Sequence, residues 1–170
     1  MRRKDREVTD IREIERILSA CKTCHVAMFD HFAEGEVGFP YIVPLSYGYK
    51  IFESDRSESG TLELYFHSAL TGKKIDLLKK NPRVCFEISR EGNVVCPEDY
   101  CQAGIDFFES VIGRGEVIFL DGDEKRGALA VMFAHQTGKD ALYGDKLPDE
   151  EVAKVCVFKI VAGEFTGKRK

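Results

Sequence analysis

No stretch of this chain approaches the roughly 18 consecutive apolar residues of a membrane-spanning helix, so no helical span is expected. Basic residues are not in excess: 25 lysines and arginines face 29 acids, for a formal net charge of -4 at pH 7. Without a basic footprint, a general nucleic-acid partner is not expected either. Met1-Arg2-Arg3-Lys4-Asp5-Arg6 has no apolar run behind it and does not read as a secretory signal, so a soluble, cytoplasmic protein is expected. Internal repeats and low-complexity tracts are missing, as are a serine-histidine-aspartate arrangement and a paired-carboxylate motif. Hydrolytic chemistry of the familiar kinds therefore has no visible machinery.

What is present is 170 residues, 44% of them hydrophobic, which suits one compact domain over 1–170 with a real core. Asp10 followed by Glu13 has capping-box spacing, and Ile11, Ile14, Ile17 and Leu18 then mark one helical face ending near Ala20. Strand-like runs follow at 25–29, 39–49, 62–66, 83–88, 106–120 and 152–160, with a tail from Phe165 to Lys168. Helical patterns occupy 73–80 and 124–136, the second with Ala128, Leu129, Val131, Met132 and His135 on its apolar face. Pro40 and Pro44 fall inside an aromatic and β-branched run. Proline removes a ladder donor, so that strand is expected at an edge, bulged, or open to a ligand. Residues 53–60 read as a hairpin loop, 90–104 as a long irregular excursion suited to a lid or interface, and Gly113 and Gly115 as bends. Strands do not alternate regularly with helices. The expected class is mainly β, a small antiparallel β-barrel with peripheral helices.

The run His67-Ser68-Ala69-Leu70-Thr71-Gly72-Lys73-Lys74 carries the most chemistry. It joins a strand to a helix, where a glycine lets backbone approach a ligand and the helix start offers unpaired N–H groups. The lysines add charge, and His67, Ser68 and Thr71 can add hydrogen bonds, so a phosphate-sized anion site is expected. It is not a nucleotide P-loop, which needs a second glycine before Gly-Lys-[Ser/Thr].

Six cysteines without an export signal are expected as reduced thiols. Cys85 and Cys156 sit in apolar runs and read as core residues. Cys21-Lys22-Thr23-Cys24-His25 matches the haem-attachment pattern, but covalent haem normally goes with export, and buried or inert thiols are the expectation. A zinc site built from Cys21, Cys24, Cys96 and Cys101 has the wrong spacing in its second pair, so no metal is expected.

Four motifs occur in order along nearly the whole chain: the segment Arg2 to Glu7, Pro40-Tyr41-Ile42-Val43-Pro44-Leu45, the His67 to Lys74 run, and Ser110-Val111-Ile112-x-Gly-x-Gly. Together they resemble the flavin split-barrel proteins related to pyridoxamine 5'-phosphate oxidase, and within them the Nim group named for 5-nitroimidazole resistance. The resemblance implies a split barrel that binds FMN non-covalently at the interface of a homodimer. It implies that His67, Ser68, Lys73 and Lys74 hold the FMN phosphate. Val43, Pro44, Leu45, Ser46 and Tyr47 would lie along the ring edge, largely through backbone groups, and Ser110 and Val111 would approach the flavin or the partner subunit. His67 is the motif candidate for the redox-active histidine described in some Nim proteins.

Two lysines suit a phosphate monoester, which carries about -1.5 to -2 charge at neutral pH. The implied activity is an oxidoreductase that passes electrons through bound flavin to a small flat acceptor, nitro-aromatic or quinone-like. Tyr47, Tyr49 and the 90–104 segment would wall its pocket. A flavin-binding sensor or electron store without turnover is the alternative, and a haem protein a further one. The Arg-Leu-x-Pro ending of true pyridoxamine phosphate oxidases is absent, since the chain ends Phe165-Thr166-Gly167-Lys168-Arg169-Lys170. Vitamin B6 oxidation is therefore not expected.

Overall fold

The computed structural model describes residues 3–30, 38–54, 57–96, 103–139 and 146–170, with backbone alone at 53, 54 and 57–59. After a single 3-10 turn (Lys4–Arg6) and β1 (Glu7–Val8), Asp10 caps α1 (Ile11–Ala20) by accepting from the N–H groups of Arg12 and Glu13 at 2.8 and 3.3 Å. Two orphan donors are thereby satisfied. Ile14, Ile17 and Leu18 turn inward on the face their spacing marks, while the Glu13 carboxylate pairs with Arg16 and Arg169.

The chain continues through β2 (Thr23–Asp30), β3 (Phe39–Ser46), β4 (Gly48–Ser54) and β5 (Ser57–Ala69) into α2 (Lys73–Lys80). β6 (Arg83–Glu91), the short pair β7 (Val94–Val95) and β8 (Gly104–Ile105), and β9 (Phe108–Leu120) follow. α3 (Gly122–Thr137), α4 (Asp149–Ala153) and β10 (Val155–Arg169) complete it. One antiparallel sheet runs in the order β3-β2-β6-β9-β10-β5-β4, with β1 on β10. Its two end strands, β3 and β4, are separated in sequence only by Tyr47. A one-residue link brings the end of β3 to the start of β4, so the sheet curls into a barrel hinged at a seam on Tyr47. Among the described residues those two strands share no ladder, which leaves the barrel split there. The expected class is borne out.

Alternation fills that barrel. Cys24, Val26 and Met28 of β2 and Val84, Phe86 and Ile88 of β6 point inward and are buried. They meet Phe66 of β5 and Phe158 of β10, whose rings stack 5.3 Å apart. The same parity turns Cys85 outward, where it is exposed, so it is not the core residue its apolar run suggests. Cys156 is only partly buried.

Several expected boundaries shift. β10 runs to Arg169 instead of ending at Ile160, because a bulge between Val161 and Glu164 absorbs Ala162 and Gly163 before pairing with β9 resumes. β5 begins at Ser57, inside the expected hairpin loop, and continues through Ala69, so His67 and Ser68 belong to the strand. Gly113 and Gly115 serve close approach within a continuous ladder. A Cβ at Gly113 would lie 2.4 Å from the Phe86 ring, and one at Gly115 2.4 Å from the Val161 carbonyl. The excursion after Arg90 begins and ends as the β7-β8 pair; Cys101 lies outside the described residues.

One buried acid sits at the α1 end of the barrel. Glu109 is 6% exposed and receives both Arg16 and Arg90, the latter at 2.7 Å. Hydrogen bonding from Arg16 holds its carboxyl below the usual glutamate range, against an opposing push from burial. A depressed folded-state pKa contributes stability that is present above the unfolded value, about 4.3, and is lost as pH falls through the lower folded value. Glu109→Gln should flatten that part of a urea-derived stability curve between neutral and acid pH. A curve as steep as that of the unaltered chain would remove Glu109 from the acid response.

Candidate anion and cofactor site

β5 ends and α2 begins around Gly72, whose φ of 130° lies where L side chains are strained. No side chain caps α2, so its first-turn N–H groups remain available to an anion or solvent. The strand delivers His67 and Ser68 to opposite faces, because neighbouring strand residues alternate. Ser68 lies across from Cys156 and His67 across from Val157 of β10.

The two lysines are not equivalent. Lys74 is partly buried near His67 and Cys156, and burial holds its ammonium below the usual lysine range. His67 is pushed down from the ordinary histidine value by burial first and then by the Lys74 charge, which favours the neutral ring. Lys73 reaches the other way, across to the β2-β3 hairpin. Its Nζ lies 2.5 Å from the Asp30 carboxylate and 4.9 Å over the Tyr41 ring. Asp30 was not marked by the sequence, Tyr41 stood there only as part of the Pro40 to Leu45 motif, and Cys156 was read as a core residue. Asp30 and Lys73 come from different elements far apart in the chain, and no spacing signal links them.

The edge strand β3 has two faces. Pro44 and Ser46 are exposed on the outside with Ile42, whereas Val43 and Leu45 pack against the core from within. Among the described residues β3 is paired only to β2, as its prolines predict, and its other edge lies at the end of the sheet path. Tyr47 is wholly buried. Its hydroxyl donates to the Leu18 carbonyl at 2.7 Å, and its own carbonyl accepts from the Gln136 amide at 2.8 Å. Tyr47 thus fastens α1 and α3 to the seam and is no pocket wall. Tyr49 is half-buried, 5.2 Å from the His135 ring, while His135 Nε2 donates to the Cys21 carbonyl at 2.9 Å.

Ser110 is 3% exposed and Val111 wholly buried, so the Val111 side chain belongs to the core. In the Cys21 to His25 run, both thiols are buried and burial pushes both up, whereas His25 lies on the outer face, 3.1 Å from Glu87. Cys24 and His25 therefore serve opposite faces of β2, which a haem-attachment surface could not use. Among the described residues, no group of three or more His, Cys, Asp or Glu is placed to hold a metal, and no helix is long and apolar enough to cross a membrane.

A family profile described as pyridoxamine 5'-phosphate oxidase matches residues 10–169. No curated protein sequence matches the chain. Among solved structures, the chain is similar to a candidate 5-nitroimidazole antibiotic resistance protein from Bacteroides thetaiotaomicron, with 31% identity, TM-score 0.72, and 96% of this chain and 86% of that one covered. It also shares its fold with an FAD and haem binding protein from Mycobacterium smegmatis, at 15% identity, TM-score 0.71 and coverage of 96% and 72%. An FAD-binding protein from Mesorhizobium loti aligns at 23% identity, TM-score 0.59, with 97% of each chain covered.

Proposed function

The chain belongs to the pyridoxamine 5'-phosphate oxidase family and carries its split β-barrel; from that footing we propose that residues 1–170 form one FMN-binding domain acting as an oxidoreductase. The observation that carries this reading is the β5-α2 junction, where a helix start without a side-chain cap meets the partly buried Lys74. An ammonium held in partial burial gains from a dianionic partner more than a solvated one does. The donor set therefore fits a phosphate monoester. One such cradle suits a mononucleotide, which is why FMN is proposed rather than the FAD named for two of the relatives.

In this reading Lys74 and the α2 N–H groups neutralise the phosphate and neutral His67, beside Lys74, donates a ring N–H, while Ser68, on the opposite face of β5, brings no side chain to it. Lys73 joins from the side of the hairpin. The open edge of β3 offers backbone groups of residues 43–47 to the isoalloxazine ring, with Pro44 and Ser46 turned outward. When bound, FMN supplies electron transfer between a donor and a small flat acceptor.

A second copy of the chain is proposed to cover the outer face of β3, β2, β6 and β9. That face exposes Ile42 at 59% and Ile112 at 53%, and it holds a hollow of about 920 Å3 lined in part by Phe29, Pro40, Cys85 and Arg114. Apolar groups ringed by charges of both signs suit a self-complementary contact.

Two measurements test the proposal. Purified protein should be yellow and should release FMN on denaturation, identified by mass; a red preparation with a Soret band would replace flavin by haem. Oxidation of a reduced nicotinamide with an added acceptor should then turn over, and no turnover with a panel of donors would leave a flavin-binding protein that is not an enzyme. His67→Ala should weaken FMN binding by about three- to tenfold, the scale of one neutral hydrogen bond. Unchanged affinity would remove His67 from the site.

A further inference from the structure

The pairing of Lys73 with Asp30 bears on how strongly the junction holds an anion. Asp30 closes β2, opposite Phe39 of β3, and its side chain is only 14% exposed. Lys73 opens α2, with a side chain 54% exposed, and spans from the helix to that carboxylate at 2.5 Å. The Tyr41 ring lies beneath the same ammonium at 4.9 Å, and Tyr41 sits across from Met28 on the β2-β3 ladder. A carboxylate and an aromatic face thus form a parking place for one of the two lysines that the phosphate would use.

We propose that Asp30 is an internal competitor of the ligand phosphate for Lys73. It lowers the affinity of the site for phosphorylated flavin and leaves its affinity for the unphosphorylated ring unchanged. The proposal rests on the FMN reading above. Its physics is charge neutralisation: a phosphate arriving at α2 meets the full charge of Lys74, but gains Lys73 only by drawing it off an anion already in contact. The loss of that contact subtracts from the gain. A ligand without a phosphate never calls on Lys73 and is indifferent to Asp30. Positions 30 and 41 would then set how readily the cofactor exchanges.

The alternative role for Asp30 is to orient Lys73 toward the phosphate, and the two roles predict opposite signs. Asp30→Asn should tighten FMN binding about fivefold, the scale of a half-exposed ion pair, while riboflavin binding stays the same. In a Lys73→Gln background the gain from Asp30→Asn should vanish. Weaker or equal FMN binding by folded Asp30→Asn protein would overturn the proposal. So would a gain that persists without Lys73, since Asp30 would then act by direct repulsion. If Asp30→Asn does not fold, Tyr41→Leu weakens the same parked position from its aromatic side and should also tighten FMN and not riboflavin. Equal binding there counts against the proposal. Unaltered protein that binds neither flavin would sink the FMN reading itself. Normal FMN binding with a neutral Asp30→Asn would sink only the role of Asp30.

Discussion

Replacing Lys73 and Lys74 together with alanine is expected to weaken FMN binding by about a hundredfold or more, with the barrel intact. Charge-assisted hydrogen bonds contribute roughly 1.5–3 kcal/mol each, and 1.4 kcal/mol is tenfold in affinity. Most of the loss should come from Lys74, which is partly buried at the junction, while Lys73 delivers only what remains after it leaves Asp30. Neither side chain belongs to the core, so the far-ultraviolet circular dichroism should match that of the unaltered chain. Titration with FMN and riboflavin reads the effect: FMN should fall to the level of riboflavin. FMN retained within about threefold would show that the phosphate is held elsewhere.

The largest expected effect on stability comes from one glycine at the seam. Gly48 opens β4 directly after Tyr47, and α3 lies against it. A Cβ there would stand 2.6 Å from the Met132 Cα and 2.7 Å from its N, both backbone atoms that cannot rotate away. Gly48→Ala must therefore push α3 off the barrel or bend the edge strand. α3 also carries Gln136 and His135, which tie Lys22, Tyr47 and Cys21 together by hydrogen bonds. The cost should be about 3 kcal/mol, at the upper end for overpacking, and a fall in thermal midpoint of several degrees should follow. Gly127→Ala is the control, because a Cβ at Gly127 meets nothing within 4 Å. Equal midpoints for the two variants would contradict the close approach of α3 to β4.

The parts of this fold that were legible in the sequence are those governed by local chemistry. Asp10 announces α1 because an N-cap acts within three residues. Asn81-Pro82 announces the end of α2, and Asn81 then accepts from the Arg83 N–H at 3.1 Å. Pro40 and Pro44 place β3 at a sheet edge because neither can donate to a ladder. What was hidden depends on partners distant in the chain. Gly163 sits in a bulge, and Gly167 lets Val8 lie close, a Cβ there standing 2.9 Å from Val8 Cβ. Cys85 reads as core because its neighbours are apolar, but burial in a barrel depends on strand parity.

The candidate site divides in the same way. A strand, a glycine and two lysines mark the junction, and the fold places them together at the start of α2. Their inequality could not be read, since nothing local tells Lys73 that Asp30 waits across the barrel rim. Tyr47 shows the reverse: its place in the motif suggested a ring contact, whereas the seam takes its side chain wholly into the core.

The most direct measurement is a crystal structure of the chain grown with FMN. The flavin phosphate should lie at the first turn of α2, within hydrogen-bond distance of Lys74 Nζ, with the ring along the outer edge of β3 toward a second copy. A phosphate bound away from α2, or flavin held in a different part of the barrel, would contradict the account.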